Sequence, residues 1–221
     1  MTAISSPIIN YYNPDEKYYL GISYSNSISY NQLISAEGFN PNSSYINSES
    51  LKQNEWTQKT KLATNGITLI NDSLYQKYNL SESGGMHELN FAIATELGDY
   101  FSIGGSLNIS FGTYYYLRYL DESDVNHKYQ VKRDEPPYED LDKTYHTLRY
   151  DHNFSSIGFN IGMIYNPNDN MRFSLNIETP SDMEIKEYFY EEAKVVFDNK
   201  DQIKYNNANT AVTTKYDVMS P

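Results

Sequence analysis

The chain of 221 residues contains no cysteine, which excludes a disulfide framework and any thiolate chemistry. It has no run of the roughly 18 apolar residues that a membrane-spanning helix needs, and its mean hydropathy is −0.68. Basic residues are also scarce: the chain has 17 lysines and arginines but 29 acidic residues. Nucleic acids bind to basic surfaces, so the net charge of −12 predicts that nucleic acid is not a partner.

The sequence does contain several segments in which apolar residues alternate with small or polar ones. The clearest is FSIGGSLNISF, residues 101–111, in which the large apolar side chains fall on one face. Successive side chains of a strand point to opposite faces, so this segment predicts a strand with one apolar and one small, polar face. Four further segments alternate in the same way: residues 17–30, 87–95, 155–165 and 171–179.

The connections between the predicted strands have two lengths. Short turns are expected at 98–99, a Gly-Asp pair, and at 166–170, NPNDN. Long polar excursions are expected at about 33–85 and 121–150, and residues 184–197 are interpreted as another one. Outer-membrane barrels combine short periplasmic turns with long extracellular loops, whereas compact soluble domains seldom contain loops this long.

The predicted fold class is therefore all-β, an antiparallel transmembrane β-barrel that forms a single partial domain over residues 1–221. Strands of about eleven residues are long enough to cross a bilayer when tilted. The alternative is a soluble β-sandwich or a surface adhesin that binds its ligand on tyrosine rings. In that alternative Tyr114, Tyr116 and Tyr119 would form a stacking platform for sugars.

No pattern typical of a catalytic centre, a metal site or a cofactor is recognised. The four histidines are scattered, and the acidic residues of the second excursion lack the regular spacing of a calcium loop. The sequence also lacks a phosphate-binding loop and a dinucleotide fingerprint. We therefore expect a protein that is not an enzyme and that uses no metal or cofactor.

Seven residues in the small, polar phase of the strands are the candidate lining of a lumen. They are Glu88, Asn108, Arg118, Asn160, Arg172, Asn176 and Glu178. A charge on the lipid face costs about 2–4 kcal/mol at mid-membrane, so charges confined to the other phase favour the barrel. Arg172 or Arg118 is a candidate receptor for a carboxylate, because a guanidinium fork matches that group. The alternative role is an Arg–Glu network that braces the barrel wall.

Four segments, in order along the chain, resemble outer-membrane transport proteins of the FadL/TodX type, especially their Bacteroidetes-like branch. They are YLGISYSNSISYNQLISAEGFNPNSS from Tyr19, SGGMHELNFAIATELGDYFSIGGSLN from Ser83, SIGFNIGMIYNPNDNMRFSLNIETPSDMEIKEYF from Ser156, and KYDVMSP from Lys215. The common order of the four matches carries the resemblance.

The resemblance implies a fourteen-stranded barrel with an N-terminal hatch, of which this sequence supplies about six strands. It implies passive uptake of long-chain fatty acids or aromatic hydrocarbons across the outer membrane of a Gram-negative bacterium. The partners expected are a hydrophobic small molecule, membrane lipid and lipopolysaccharide, and the protein is expected to be a monomer. A signal peptide and a hatch are not recognised in the sequence, so we expect it to be an internal fragment of a longer transporter.

Overall fold

The computed structural model describes residues 2–9, 17–48, 54–168 and 170–218, and for residues 2–9, 27–28, 208–211 and 216–218 it describes the backbone only. Strands account for 73% of it and helix for 3%, which confirms the predicted all-β class. The elements are β1 (Thr2–Ile9), β2 (Lys17–Asn40), α1 (Glu55–Lys59), β3 (Ala63–Thr64), β4 (Ile67–Thr68), β5 (Leu74–Leu97), β6 (Phe101–Ser123), β7 (Leu141–Asn168), β8 (Met171–Glu178), β9 (Ser181–Phe197) and β10 (Gln202–Val218).

The main sheet is antiparallel throughout, with the strand order β1-β2-β5-β6-β7-β9-β10 and with β8 also paired to β7. β3 and β4 form a small separate hairpin, and β8 and β9 both pair with β7 rather than with each other. Every other pair in the main sheet joins strands that follow one another in it along the chain. Within the described part of the chain, β1 and β10 do not pair with each other, so the sheet is open rather than closed into a barrel.

Strands β8 and β9 are two halves of one interrupted strand beside β7. β8 pairs with residues 160–168 and β9 with residues 141–157. The interruption lies at Pro180, which has no N–H to donate to the ladder. Thr179 restores the hydrogen bonds there, because its Oγ1 accepts from the N–H of Phe159 at 3.0 Å and its own N–H donates to the carbonyl of Phe159 at 2.9 Å.

The prediction of a polar excursion at 184–197 is wrong, since these residues form most of β9. Their alternation is broken because Glu187 and Glu191 occupy positions in the same phase as Ile185, Phe189 and Val195. Glu191 is nevertheless buried, with His146 of β7 as its partner. The sequence pattern places Glu191 at the surface because its partner in the fold, His146, lies far away in the sequence.

The strands also extend further than the sequence predicts. β2, β5, β6 and β7 have 24, 24, 23 and 28 residues, so the long connections cover only residues 41–73 and 124–140. The strand ends that the sequence analysis did not predict carry polar side chains on both faces. Apolar and polar residues therefore do not alternate there. The short connection at 98–100 agrees with the predicted turn at 98–99. In the second predicted turn, 166–170, β7 continues to Asn168, and residue 169 lies outside the described residues. Residues 219–221 of the predicted last strand also lie outside them.

The hydrophobic core lies where the two long connections fold back onto one end of the sheet. Asn54 caps α1 by accepting a hydrogen bond from the N–H of Trp56, and this turn directs the indole ring into the core, where it is 1% exposed. The other core residues are Ile46, Leu62, Ile70, Leu74, Tyr129, Leu141, Ala193, Val195, Phe197 and Tyr205. We call this end of the sheet the capped end and the opposite end, with the turn at 98–100, the turn end.

Candidate functional site

One face of the sheet near the turn end carries large apolar side chains in register across five strands; we call it the apolar face. Its rows, read from β2 to β8 or β7, are Leu20–Ile93–Gly105–Ile161–Ile177, Ile22–Phe91–Leu107–Phe159 and Tyr24–Leu89–Ile109–Ile157. Ile161 and Ile177 remain 58% and 60% exposed, although each lies beside other apolar side chains. The folded chain therefore presents a broad apolar surface to its surroundings.

The apolar face has aromatic rings at both borders. At the turn end Phe101 and Tyr165 stack with ring centroids 4.5 Å apart, and Tyr165 stacks on Phe173 at 6.3 Å. At the other border His87 lies between Tyr24 and Phe111, at 5.8 and 5.6 Å. From residue 101 to residue 111 the strand rises about 33 Å, at roughly 3.3 Å per residue.

The opposite side of the same strands is small and polar, and we call it the polar face. Asn160 and Glu178 lie opposite each other in register, and Asn108 lies one row closer to the capped end, opposite Gly158. Asn176 lies beside Gly162, and Glu88 lies opposite Ser110. Five of the seven predicted site residues thus share one region of one face: Glu88, Asn108, Asn160, Asn176 and Glu178.

The two arginines lie at opposite ends of the polar face. The Nε of Arg172 donates to Oδ1 of Asn166 at 3.0 Å near the turn end, whereas Arg118 lies beneath the cap. The register that aligns Phe101, Tyr165 and Phe173 separates the arginines by about 60 Å along the strands. A single carboxylate cannot contact both, and in the described structure neither arginine pairs with Glu88 or Glu178.

Arg118 belongs instead to a group of buried and partly buried side chains that we call the capped cluster: Arg118, His146, Glu191, Tyr45 and Trp56. His146 pairs with Glu191 through Nε2 and Oε1 at 3.0 Å, with the two side chains 2% and 7% exposed. Nη2 of Arg118 lies 3.4 Å from Nδ1 of the same imidazole, and its guanidinium lies over the Tyr45 ring at 5.1 Å. Burial raises the pKa of the Tyr45 hydroxyl.

Two N–H groups of the capped cluster, Nε of Arg118 and Nε1 of Trp56, are buried without a hydrogen-bond partner in the described structure. Both groups are donors, so the cluster favours an acceptor such as a water or carboxylate oxygen. Sequence reasoning identified Arg118 but missed His146 and Glu191, which lie in segments interpreted as excursions. The only signal for His146 is the phase of β7, which places it on the same face as Ser156 and Asn160.

Glu122 ties the first long connection to the sheet beside this cluster. The side chain is fully buried and its carboxylate accepts from Ser44 Oγ at 3.0 Å, from the Tyr45 N–H at 2.7 Å and from Gln76 Nε2 at 2.7 Å. Burial raises the pKa of Glu122 despite these three donors. The cap is therefore held by buried polar contacts as well as by the Trp56 ring.

On the side of the apolar face, but nearer the capped end, three strands form a groove of about 420 Å³ that we call the tyrosine groove. It is lined by Leu117, Tyr119, Thr147, Arg149, Asp151, Tyr188, Tyr190 and Glu192. The predicted platform of Tyr114, Tyr116 and Tyr119 is not formed, because residues two apart share a face and residues three apart do not. Tyr114 donates to Glu82 at 2.8 Å and Tyr116 packs on Tyr150, both on the other side of the sheet.

Among the described residues, no group of three or more His, Cys, Asp or Glu side chains is arranged to hold a metal ion. Within the same part of the chain, no helix is long and apolar enough to cross a membrane. No family model, curated protein or solved structure matches the chain.

Proposed function

We propose that this sheet is part of the wall of a transmembrane β-barrel in the outer membrane of a Gram-negative bacterium. In this proposal the apolar face contacts lipid, the polar face lines the lumen, and the barrel admits hydrophobic small molecules by passive diffusion. The long connections at 41–73 and 124–140 then lie on the extracellular side and the short turns on the periplasmic side.

The observation that carries the proposal is the apolar face itself. Soluble monomers rarely expose apolar patches larger than a few hundred Å². Here three rows of mostly large apolar side chains cover one face of four or five strands, and many of these side chains are exposed. At a strand tilt of about 40°, a rise of about 33 Å gives a band about 25 Å tall, the height of the apolar band of outer-membrane barrels. The aromatic rings at both borders match the girdles of such barrels.

The polar face suits a passage because its side chains are small. Gly21, Ala92 and Ser106 lie in register there and leave space beside the sheet. The ligand class, long-chain fatty acids or aromatic hydrocarbons, comes from the sequence resemblance. The unpartnered N–H groups of Arg118 and Trp56 support a ligand with an acceptor head group, such as a carboxylate, at the capped end.

Tryptophan fluorescence in liposomes tests the orientation of the sheet. Trp56 is the only tryptophan, so in a Trp56→Phe background a single new indole reports its own surroundings. We expect lipids brominated at mid-chain to quench Leu107→Trp strongly and its neighbour Ser106→Trp weakly. Equal quenching of the two variants, or a chain that stays monomeric and folded in detergent-free buffer, contradicts the proposal.

Transport is tested separately with the unmodified chain in the same liposomes. We expect a fluorescent long-chain fatty acid to equilibrate faster than in protein-free liposomes, while a charged dye of similar size does not. An equal gain for both molecules indicates a non-selective pore or a leaky membrane, and no gain contradicts transport by this chain on its own.

The alternative proposal is a soluble or surface-exposed β-sandwich that binds a ligand or mediates adhesion. It requires a second layer over the apolar face, and within the described residues the long connections cover only the capped end. The solubility measurement above separates the two proposals, because a sandwich needs no detergent.

A further inference from the structure

The tyrosine groove is not used by the proposed passage, because it lies on the opposite side of the sheet from the polar face. We infer that it binds the core saccharide of lipopolysaccharide molecules that lie beside the barrel. This inference rests on the proposed membrane location and adds a ligand site on the outer surface of the wall.

The groove is a regular array of side chains from β6, β7 and β9. The first row is Tyr119, Thr147 and Glu192, the second is Leu117, Arg149 and Tyr190, and the third ends in Asp151 and Tyr188. Three tyrosine rings therefore occur within three adjacent rows, and the ring of Tyr119 is 46% exposed. Exposed aromatic rings offer flat faces for the C–H surfaces of sugar rings, and tyrosine adds a hydroxyl that forms hydrogen bonds.

The polar groups of the groove are held in place by one another. Nε of Arg149 donates to Oδ1 of Asp151 at 2.9 Å, and a second contact joins Nη2 to Oδ2. The hydroxyl of Tyr190 donates to Oε2 of Glu192 at 2.6 Å. A carboxylate accepts more than one hydrogen bond, so Asp151 and Glu192 retain capacity for ligand hydroxyls.

The charge of the groove selects between parts of lipopolysaccharide. One guanidinium faces two carboxylates, so the site is net negative and disfavours a phosphate group. Neutral hydroxyls suit it better, because they donate to the carboxylates. The inferred ligand is therefore the saccharide and not the phosphorylated lipid anchor.

The position of the groove identifies where its ligand comes from. Tyr119 follows Phe111, at the border of the apolar face, by eight residues, or about 26 Å along the strand. If lipid covers the apolar face, the groove lies above the acyl chains and beside the sugars attached to them. Its volume of about 420 Å³ falls within the usual range of small-ligand sites.

Binding of three probes to the full chain in detergent tests the inference by native mass spectrometry and calorimetry. The probes are lipopolysaccharide with a complete core, lipid A without the core, and the free core oligosaccharide. We expect the complete molecule to bind roughly tenfold more tightly than lipid A, because the rings of Tyr119 and Tyr188 stack on its sugars. The double variant Tyr119→Ala/Tyr188→Ala should remove this difference and the binding of the free oligosaccharide.

Two controls separate stacking from folding. Tyr119→Phe/Tyr188→Phe retains the rings and should bind nearly as well as the unmodified chain. Tyr100→Ala removes a tyrosine that is 55% exposed at the turn end and should bind equally well. The inference is overturned if lipid A and the complete molecule bind equally, or if the double alanine variant still discriminates between them.

These outcomes are distinct from failure of the proposed function. A chain that inserts into liposomes but shows no core-dependent binding overturns the groove assignment alone. A chain that stays soluble yet binds the free oligosaccharide through Tyr119 and Tyr188 overturns the membrane proposal and supports the saccharide specificity of the groove.

Discussion

Trp56 stacks on His146 with ring centroids 4.7 Å apart and an angle of 30° between the ring planes. The indole comes from the connection that follows β2, and the imidazole comes from β7, ninety residues later in the chain. This contact holds the first long connection over the polar face and covers the His146–Glu191 pair. The first long connection is thus held against the sheet by a specific packing contact.

Replacing Trp56 by alanine should destabilise the cap by about 3–5 kcal/mol, the usual cost of removing a buried tryptophan. We expect a lower urea midpoint and faster proteolysis within residues 41–73. Trp56→Phe should be milder, because a smaller ring still stacks on the imidazole. An alanine variant with unchanged midpoint and proteolysis would show that the contact does not hold the cap.

Introducing an arginine on one side of β8 or on the other should show which face of the sheet contacts lipid. Leu175 is 55% exposed on the apolar face. If that face contacts lipid, as proposed, an arginine at mid-membrane costs about 2–4 kcal/mol. We expect Leu175→Arg to reduce insertion into liposomes and the adjacent Ser174→Arg to be tolerated, as measured by the fraction of protein that floats with lipid. Equal losses in both variants would refute the assignment of faces.

Gly112 should not tolerate a side chain, although it lies in the middle of a strand. A Cβ there would lie 2.2 Å from the carbonyl oxygen of Gly85 and 2.5 Å from the ring of Phe154. We expect Gly112→Ala to lower the free energy of unfolding by about 1–3 kcal/mol. The matched control is Gly38→Ala in β2, where a Cβ meets nothing within 4 Å and a small gain is expected. Similar urea midpoints for the two variants would contradict this.

Glu122 should make the protein less stable as the pH rises. Burial raises its pKa above the usual value of 4.5, so the folded chain holds the proton more tightly than the unfolded chain. The resulting stability is fully present below the unfolded pKa and is lost as the pH rises through the folded pKa. Relative to Glu122→Gln, the unmodified chain should lose free energy of unfolding as the pH rises from 4.5 through the raised pKa of the folded chain. A difference between the two that does not vary with pH contradicts the prediction.

Near the turn end, local pattern predicted the structure well. Residues 101–111 alternate because one face of β6 is apolar and the other small and polar, and the Gly98–Asp99 pair lies in the turn before it. The seven candidate residues were chosen by phase, and five of them do share one region of the polar face. The face on which a strand residue lies depends on its position relative to neighbouring residues, so it can be predicted directly from the sequence.

The capped end could not be predicted in this way. Its strands pack against the long connections on one face and carry charged or tyrosine side chains on the other, so neither face is purely apolar. His146 and Glu191 look like surface residues until the fold pairs them at 3.0 Å beneath Trp56. The tyrosine groove likewise joins residues from three strands, and the predicted platform failed because its three residues alternate between faces.

The sequence by itself determined the all-β class, the antiparallel strands near the turn end and the two chemically distinct faces, because a period of two residues encodes all three. Only the tertiary structure decided that Glu191 is buried, that β8 and β9 continue each other across Pro180, and that Arg118 and Arg172 lie at opposite ends. These features depend on contacts between residues tens of positions apart. Such contacts form, and contribute to the free energy of folding, only when the strands are in register.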